Sequence, residues 1–191
     1  NAFIAIEDED FNNHHGVDWQ RTFMAVANQF LKFSDVEFGA STITQQLIKN
    51  LTWDNEKVYT RKVREIVRAI FVETQVSKDQ ILEAYLNTIA LGNGINGVQV
   101  AANYYFNKDV SELNTAECAA IAAITKNPSR YNPVSSMDEN TARRRTVLTE
   151  MHEQGYLSYE ELQAAYCHQI TLDSSQKESL NTDINDYFID T

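Results

Sequence analysis

Hydrophobic residues recur at helical spacing along most of the chain and predict a succession of helices with few strands. Residues 34–40, which include Ser, Asp and Gly, and the glycine-rich residues 92–97 interrupt this spacing and predict loops. A short strand or two is the most β-structure that the pattern allows, and no internal repeat is present. Helices are predicted over residues 1–11, 18–33, 42–48, 63–71, 77–89, 98–106, 114–125, 138–154 and 158–166.

Two of the predicted helices have a continuous apolar stripe, which is typical of a helix that packs on a core. In the helix over residues 18–33, the stripe consists of Phe23, Val26, Ala27 and Phe30. The stripe of the later helix follows the i, i+3, i+4, i+7, i+8 pattern and consists of Val63, Ile66, Val67, Ile70 and Phe71. Both stripes are therefore expected to face the interior.

Capping signals mark where several helices begin. Ser77 with Gln80 and Ser158 with Glu161 form the spacing of a capping box, and Asn114 is followed at the third position by Glu117. The sequence contains 2 prolines and 6 glycines, too few for the many turns of an all-β protein. These features together predict a mainly α fold.

The net charge of −11 argues against a nucleic-acid partner, because a phosphate backbone would repel the protein overall. Cys118 and Cys167 do not have the spacing of a metal site, and Cys118 is expected to be a small buried residue. No apolar run is long enough to cross a bilayer. Since the chain starts at Asn1 without a Met, we expect it to be part of a longer protein whose anchor lies elsewhere.

Four consecutive acidic residues, from Glu7 to Asp10, form the first segment with candidate chemistry. Glu7 lies on the same helical face as Phe3 and close to Phe11. A carboxylate beside apolar side chains gains affinity for a proton, which suits a general base or acid. The alternative is an acidic helix end in contact with solvent.

The second segment runs from Gly39 to Asn50 and combines hydroxyl, amide and ammonium groups. Ser41 or Thr42 at the start of a helix would leave free N–H groups beside a hydroxyl, which favours an anion. Gln45 and Lys49 lie one turn apart on the same face. An ordinary helix start, with Thr42 and Gln45 as a capping box, explains the segment equally well.

The third segment contains five cations within residues 57–68 of an acidic chain, and so predicts a local anion site. The alternative is a set of surface ion pairs, such as one between Arg61 and Glu65 at i, i+4. The cations are Lys57, Arg61, Lys62, Arg64 and Arg68.

Read in order, these segments resemble the signature motifs of glycosyltransferase family 51. This family comprises the peptidoglycan glycosyltransferases of class A penicillin-binding proteins and of monofunctional transglycosylases. The resemblance covers about residues 2–165. Its motifs are Glu7-Asp8-x-x-Phe11-x-x-His14-x-Gly16, Gly39-Ala40-Ser41-Thr42-Ile43-Thr44-Gln45-Gln46, Arg61-Lys62-x-x-Glu65, Ile81-Leu82-Glu83-x-Tyr85-Leu86-Asn87, the stretch from Gly97 to Phe106, and Pro128-Ser129-x-Tyr131-Asn132-Pro133.

The resemblance implies a lysozyme-like helical domain with a smaller, membrane-facing jaw lobe. We expect the glycosyltransferase domain over residues 1–170, with the jaw lobe at about 25–60. Residues 171–191 are expected to be a linker toward a transpeptidase domain absent from this chain. The apolar side chains before Ser41 are expected either to contact the membrane or to belong to the core, and they are Phe30, Leu31, Phe33, Val36 and Phe38.

The resemblance also implies a reaction. Lipid II would be the acceptor, and the growing glycan on undecaprenyl pyrophosphate would be the donor of an inverting transfer that forms β-1,4 linkages. Glu7 would be the catalytic base, and Glu65 a second catalytic residue that orients the donor. Substrate-binding roles are expected for Asp8, Ser41, Gln45, Gln46, Lys49, Arg61, Lys62 and Arg64.

No cofactor is expected to be obligatory, and Glu65 is the predicted ligand of an optional divalent cation, Mg²⁺ or Mn²⁺. The expected partners are lipid II, the growing glycan strand, the membrane surface and other cell-wall synthesis proteins. The expected location is the extracytoplasmic face of the bacterial cell membrane. Two other functions fit the fold: a lysozyme-like enzyme that cleaves glycan, and a non-catalytic module that binds lipid II.

Overall fold

The computed structural model describes residues 1–31, 39, 41–52 and 58–173. Within these ranges the chain is helical, an isolated antiparallel bridge between Ala90 and Asn96 is its only β-pairing, and the mainly α prediction is confirmed. The helices are α1 (Ala2–Glu7), α2 (Trp19–Leu31), α3 (Ile43–Thr52), α4 (Val58–Gln75), α5 (Lys78–Thr88), α6 (Val98–Phe106), α7 (Thr115–Ile124), α8 (Met137–Glu153) and α9 (Tyr159–Cys167), with a short 3₁₀ turn at Val110–Glu112.

The chain divides into two compact units. The N-terminal unit contains Asn1 and Phe3–Ile89, and the C-terminal unit contains Ala2 and the residues from Ala90 onward. No helix in the described ranges is both long and apolar enough to span a membrane. The predicted linker lies mostly outside the described residues, as do residues 32–38, 40 and 53–57 of the predicted jaw lobe.

In the N-terminal unit, α3 packs against both α4 and α5. Its buried face consists of Ile43, Leu47 and Ile48, beside the buried polar residues Thr44 and Gln45. The predicted capping box is present. The backbone N–H of Gln45 donates to the Thr42 hydroxyl, and the backbone N–H of Thr42 donates to the Gln45 side-chain oxygen. The first turn of α3 is therefore held by its own side chains.

The first helix is shorter than its apolar spacing predicts. Instead of continuing to residue 11, α1 ends at Glu7, and residues 9–13 form turns. Asp8 leaves the helical conformation, with φ −158° and ψ 72°, and its carboxylate accepts the backbone N–H of Ile43. A bond to a distant segment thus overrides the local helical spacing. Phe11 is nevertheless buried.

The apolar stripe of α4 points to solvent, so the prediction that it faces the core is wrong. The exposed fractions are 61% for Val63, 60% for Val67, 37% for Ile70 and 65% for Phe71. The buried face of α4 holds Glu65 and Ala69 instead. A Cβ at Gly16 would lie 2.7 Å from the Ala69 backbone, so α4 meets its neighbours through a small residue and a glycine.

In the stripe predicted on α2, Phe23 is likewise exposed to solvent, at 72%, and not buried in the core. Trp19 and Met24 of the same helix are also exposed. The side chains of Val26 and Phe30 lie outside the described residues, as do those of Leu31, Phe33, Val36 and Phe38. Helical spacing identified both helices correctly, but Phe23 on α2 and Val67 and Phe71 on α4 are exposed rather than in the core.

In the C-terminal unit, α7 packs against α6, α8 and α9. Its small residues Ala119, Ala120 and Ala123 are fully buried, which permits close approach of the neighbouring helices. The predicted caps Asn114 and Ser158 both form complete capping boxes. Cys118 is only partly buried, in contrast to the prediction.

Candidate active site

Glu7 is the last residue of α1, and its half-buried carboxylate accepts a hydrogen bond from α3. The Gln46 side-chain Nε2 donates to Glu7 Oε2 at 2.8 Å. The other end of the Gln46 amide, Oε1, accepts the hydroxyl of Tyr85 from α5 at 3.1 Å. Burial raises the pKa of Tyr85, and the charges of Glu7 and Asp8 raise it further, so the hydroxyl stays neutral and able to donate.

Asp8 is fully buried and is satisfied within the protein. Its Oδ2 accepts the backbone N–H of Ile43 at 2.8 Å, and both of its oxygens lie 3.0 Å from His14 Nε2. The Arg21 guanidinium is 3.7 Å from Asp8 Oδ1 and donates to the Glu7 carbonyl at 3.1 Å. These bonds fix the end of α1, where Glu7 lies, to the start of α3. The substrate-binding role expected for Asp8 stays a prediction.

A buried ionic network continues behind His14. The Lys78 ammonium lies 3.4 Å from His14 Nδ1 and 2.7 Å from Glu73 Oε2, and it stacks over the Phe11 ring at 4.5 Å. The Thr44 hydroxyl donates to Glu73 Oε1, which ties α3 to the end of α4. Glu73 and Lys78 could not be recognised from the sequence, because an acid and a lysine on amphipathic helices normally face solvent.

Glu65 belongs to a second polar group. It is 7% exposed, and its Oε1 is 2.5 Å from the Lys62 ammonium. The same ammonium donates to the Ser41 hydroxyl at 2.9 Å and to the Gln45 Oε1 at 3.4 Å. Four of the predicted site residues are therefore in direct contact, and Lys62 is at their centre.

Adjacent residues of α3 reach both glutamates. Gln46 donates to Glu7, while Gln45 and Glu65 both contact the Lys62 ammonium. Gln45 is fully buried, and its Nε2 finds no acceptor within the described ranges. A buried amide donor of this kind is suited to an oxygen of a ligand.

The other predicted site residues lie on the same two helices. Lys49 is exposed on α3, one turn after Gln45. Arg61 and Arg64 are half-buried on α4, next to Lys62 and Glu65. A cationic surface thus adjoins the pair formed by the half-buried Lys62 and the buried Glu65, and the anion site expected there stays a prediction.

The described residues do not form a metal site on their own. No group of three or more His, Cys, Asp or Glu side chains there could hold a metal ion. The Glu65 carboxylate is engaged by Lys62, which competes directly with a cation.

Comparison with known proteins identifies the family to which the chain belongs. A family model described as Transglycosylase matches residues 1–152. Penicillin-binding protein 1F of Bacillus subtilis is 47% identical over 160 residues, which cover 84% of this chain and 22% of that protein. Penicillin-binding protein 1A of Escherichia coli is 46% identical over 160 residues, which cover 84% of this chain and 19% of that protein.

The crystal structure of penicillin-binding protein 1A from Haemophilus influenzae is similar in fold. It has a TM-score of 0.50 and 28% sequence identity, and the match covers 78% of this chain and 20% of that one. The chain thus spans about a fifth of the length of the relatives that it matches. The chain belongs to the transglycosylase family, and the sequence-based prediction of a peptidoglycan glycosyltransferase domain is confirmed.

Proposed function

We propose that this domain polymerises lipid II, with Glu7 as the general base that activates the acceptor sugar. The observation that supports this role most strongly is the bond from Gln46 to Glu7 at 2.8 Å. An N–H donor stabilises the carboxylate form, which is the form that accepts a proton. The bond from Gln46 thus holds the Glu7 carboxylate in the form that can take the proton of the acceptor hydroxyl.

In the proposed reaction, the oxygen of the acceptor 4-hydroxyl attacks the anomeric carbon of the donor glycan. Glu7 takes the proton of that hydroxyl at the same time. The bond from that carbon to the phosphate oxygen breaks, and undecaprenyl pyrophosphate leaves with the electron pair. Attack from the opposite face converts the α-linked lipid sugar to a β-1,4 linkage. The proton on Glu7 then passes to solvent.

We assign charge relief on the leaving pyrophosphate to the group around Lys62. Its ammonium is held in place by Glu65 and Ser41, so it needs little reorganisation when charge develops. Gln45 Nε2 offers a further donor, and Lys49, Arg61 and Arg64 add positive charge nearby. The prediction of a divalent cation near the pyrophosphate stays a prediction, with Glu65 as its protein ligand.

The membrane surface is the proposed partner of the N-terminal unit, as a lipid-linked substrate requires. Exposed apolar side chains on α4 and α2 support it, because contiguous exposed apolar residues are typical of membrane or protein contacts. The most exposed of them are Phe71 on α4 and Phe23 on α2. The extracytoplasmic face of the cell membrane is the proposed location, where other cell-wall synthesis proteins are predicted partners.

Product analysis separates this function from its two alternatives. The protein is incubated in detergent with lipid II and, in a second reaction, with preformed glycan strands. Conversion of lipid II to polymer, with the strands left intact, is the expected result. Shortening of the strands without polymer would indicate a glycan-cleaving enzyme. Retention of lipid II without any product would indicate a binding module, and either outcome contradicts the proposal.

A further inference from the structure

Tyr85 lies behind the proposed base and is linked to it through Gln46. The side chain is fully buried, and its ring packs edge-on against Phe3 of α1 at 6.2 Å between centroids. Its hydroxyl donates to Gln46 Oε1 at 3.1 Å, and Gln46 Nε2 in turn donates to Glu7 Oε2 at 2.8 Å. Three helices, α5, α3 and α1, are joined in one chain of hydrogen bonds that ends at Glu7.

The direction of this chain depends on how the Gln46 amide is turned. An amide has a donor end and an acceptor end, and rotation by half a turn exchanges them. In the rotated state Oε1 would face Glu7, so Glu7 would have to be protonated to avoid repulsion. The same rotation would place Nε2 against Tyr85 and leave the buried phenol hydrogen without its acceptor.

A buried hydroxyl that donates to nothing is costly. Tyr85 therefore favours the orientation in which Gln46 donates to Glu7. Because its hydroxyl stays neutral, it can hold this orientation throughout the pH range in which a carboxylate titrates.

We propose that Tyr85 is a positioning residue, an inference that rests on the proposed function. Through the Gln46 amide, Tyr85 holds Glu7 in its anionic, proton-accepting state. The charged groups near Glu7 include Asp8 in the next position and Arg21 from α2, whose guanidinium binds the Glu7 carbonyl. Neither of them forms part of the chain from Tyr85. The effect of the hydroxyl is thus separable from theirs.

The test is a titration that needs no substrate. Glutamate carboxyl carbons are labelled with ¹³C, and the resonance of Glu7, assigned with a Glu7→Gln variant, is followed against pH in the wild type and in Tyr85→Phe. We expect the titration midpoint of Glu7 to move to higher pH in Tyr85→Phe, because the rotated amide now accepts from the protonated acid. Equal midpoints in the two proteins would overturn the proposal.

Tyr105→Phe is the matched control, since Tyr105 is also fully buried and its hydroxyl donates to the Leu91 carbonyl at 2.8 Å, in the C-terminal unit. It loses a similar hydrogen bond but should leave the Glu7 midpoint unchanged. If both variants shift the midpoint equally, the effect is one of general destabilisation, and the proposal fails.

A double-mutant cycle with Gln46→Met tests the route. If Tyr85 acts through Gln46, adding Tyr85→Phe to Gln46→Met should not shift the Glu7 midpoint further. Independent, additive shifts would show another route and contradict the proposal.

Kinetics supply the readout on the reaction itself. With lipid II, we expect Tyr85→Phe to lower kcat about threefold to tenfold, as for the loss of one hydrogen bond, with KM almost unchanged. The acid limb of the pH–rate profile should move in the same direction as the titration midpoint, and an unchanged limb would contradict the proposal. If the wild type makes no polymer, the proposed function fails, while the titration still decides the role of Tyr85.

Discussion

The backbone N–H of Ile43 donates to the Asp8 carboxylate at 2.8 Å, and this bond joins the end of α1 to the first residue of α3. Glu7 precedes Asp8, and Gln46 follows Ile43 by one turn, so the bond aligns the two segments that meet at Glu7. Asp8 also binds His14, and both side chains are buried. A buried carboxylate with these partners has a structural function. Any contact of Asp8 with substrate would be in addition to these bonds.

Replacing Asp8 with Ala should therefore cost stability as well as activity. The variant leaves the Ile43 N–H and the His14 ring without their acceptor in a buried place, which should lower the free energy of unfolding by about 2 to 4 kcal/mol. Urea unfolding measures this change. Asp10→Ala is the control, because Asp10 is an exposed acid two positions later. Equal stability of the two variants would contradict the structural role of Asp8.

Gly16→Ala should be strongly destabilising. Gly16 has φ +85°, and a Cβ there would lie 2.7 Å from the Ala69 backbone on α4. The left-handed conformation and the clash together should cost about 2 to 4 kcal/mol in unfolding free energy. In Gly155→Ala, with φ +78° and open space around the Cβ, the conformational cost alone of about 1 kcal/mol is expected. Similar losses in both variants would show that the contact with α4 is not tight.

Lys62→Met tests the group proposed to stabilise the leaving pyrophosphate. The methionine keeps the length of the side chain but removes the ammonium that joins Ser41, Gln45 and Glu65. We expect kcat for lipid II polymerisation to fall about 10²-fold to 10³-fold. Lys126→Met, at an exposed position of the C-terminal unit, should leave the rate unchanged. A wild-type rate in Lys62→Met would remove Lys62 from the reaction.

The exposed stripe of α4 should contribute to membrane binding and little to stability. The double variant Val67→Ser and Phe71→Ser changes side chains that are 60% and 65% exposed, so its melting temperature should stay close to that of the wild type. Its binding to phospholipid vesicles, measured by sedimentation, should be weaker. Tyr159→Ser, at a 64% exposed position of the C-terminal unit, is the control. Unchanged vesicle binding in the double variant would contradict the membrane role of α4.

The two cysteines should differ in reactivity. Burial raises the pKa of the Cys118 thiol, so at any pH below that value a smaller fraction is the reactive thiolate. Cys167 is exposed. At pH 8, iodoacetamide should modify Cys167 about tenfold faster or more, and the rate at Cys118 should rise as the pH rises. Mass spectrometry of the quenched protein would show the order, and faster labelling of Cys118 would contradict it.

Local signals predicted the helices and their caps well, since capping boxes such as Ser77 with Gln80 depend only on nearby residues. The buried faces were harder to predict, because the apolar stripe of α4 has the spacing of a core helix although Val67 is exposed. Sequence spacing cannot distinguish an apolar face that packs inside from one that meets another surface. The end of α1 was likewise decided by Asp8 and Ile43, which are far apart in sequence.

For the site, the resemblance and the charge pattern indicated Glu7, Glu65 and Lys62, and the structure adds how they are held. Tyr85 belonged to a recognised motif, but its link to Glu7 through Gln46 depends on packing between helices. Lys78 had no distinguishing signal, because its position at a helix start resembles that of an ordinary surface lysine. Such supporting residues can be identified only from three-dimensional contacts.

The role of Glu7 as the base is tested most directly by the turnover of Glu7→Gln on lipid II. Glutamine can still accept the Gln46 bond but cannot take the acceptor proton, so polymerisation should fall about 10²-fold to 10⁴-fold while lipid II remains bound. Glu9→Gln, at an exposed acid two residues later, should retain the wild-type rate. Polymerisation by Glu7→Gln at the wild-type rate would contradict the assignment of Glu7 as the base.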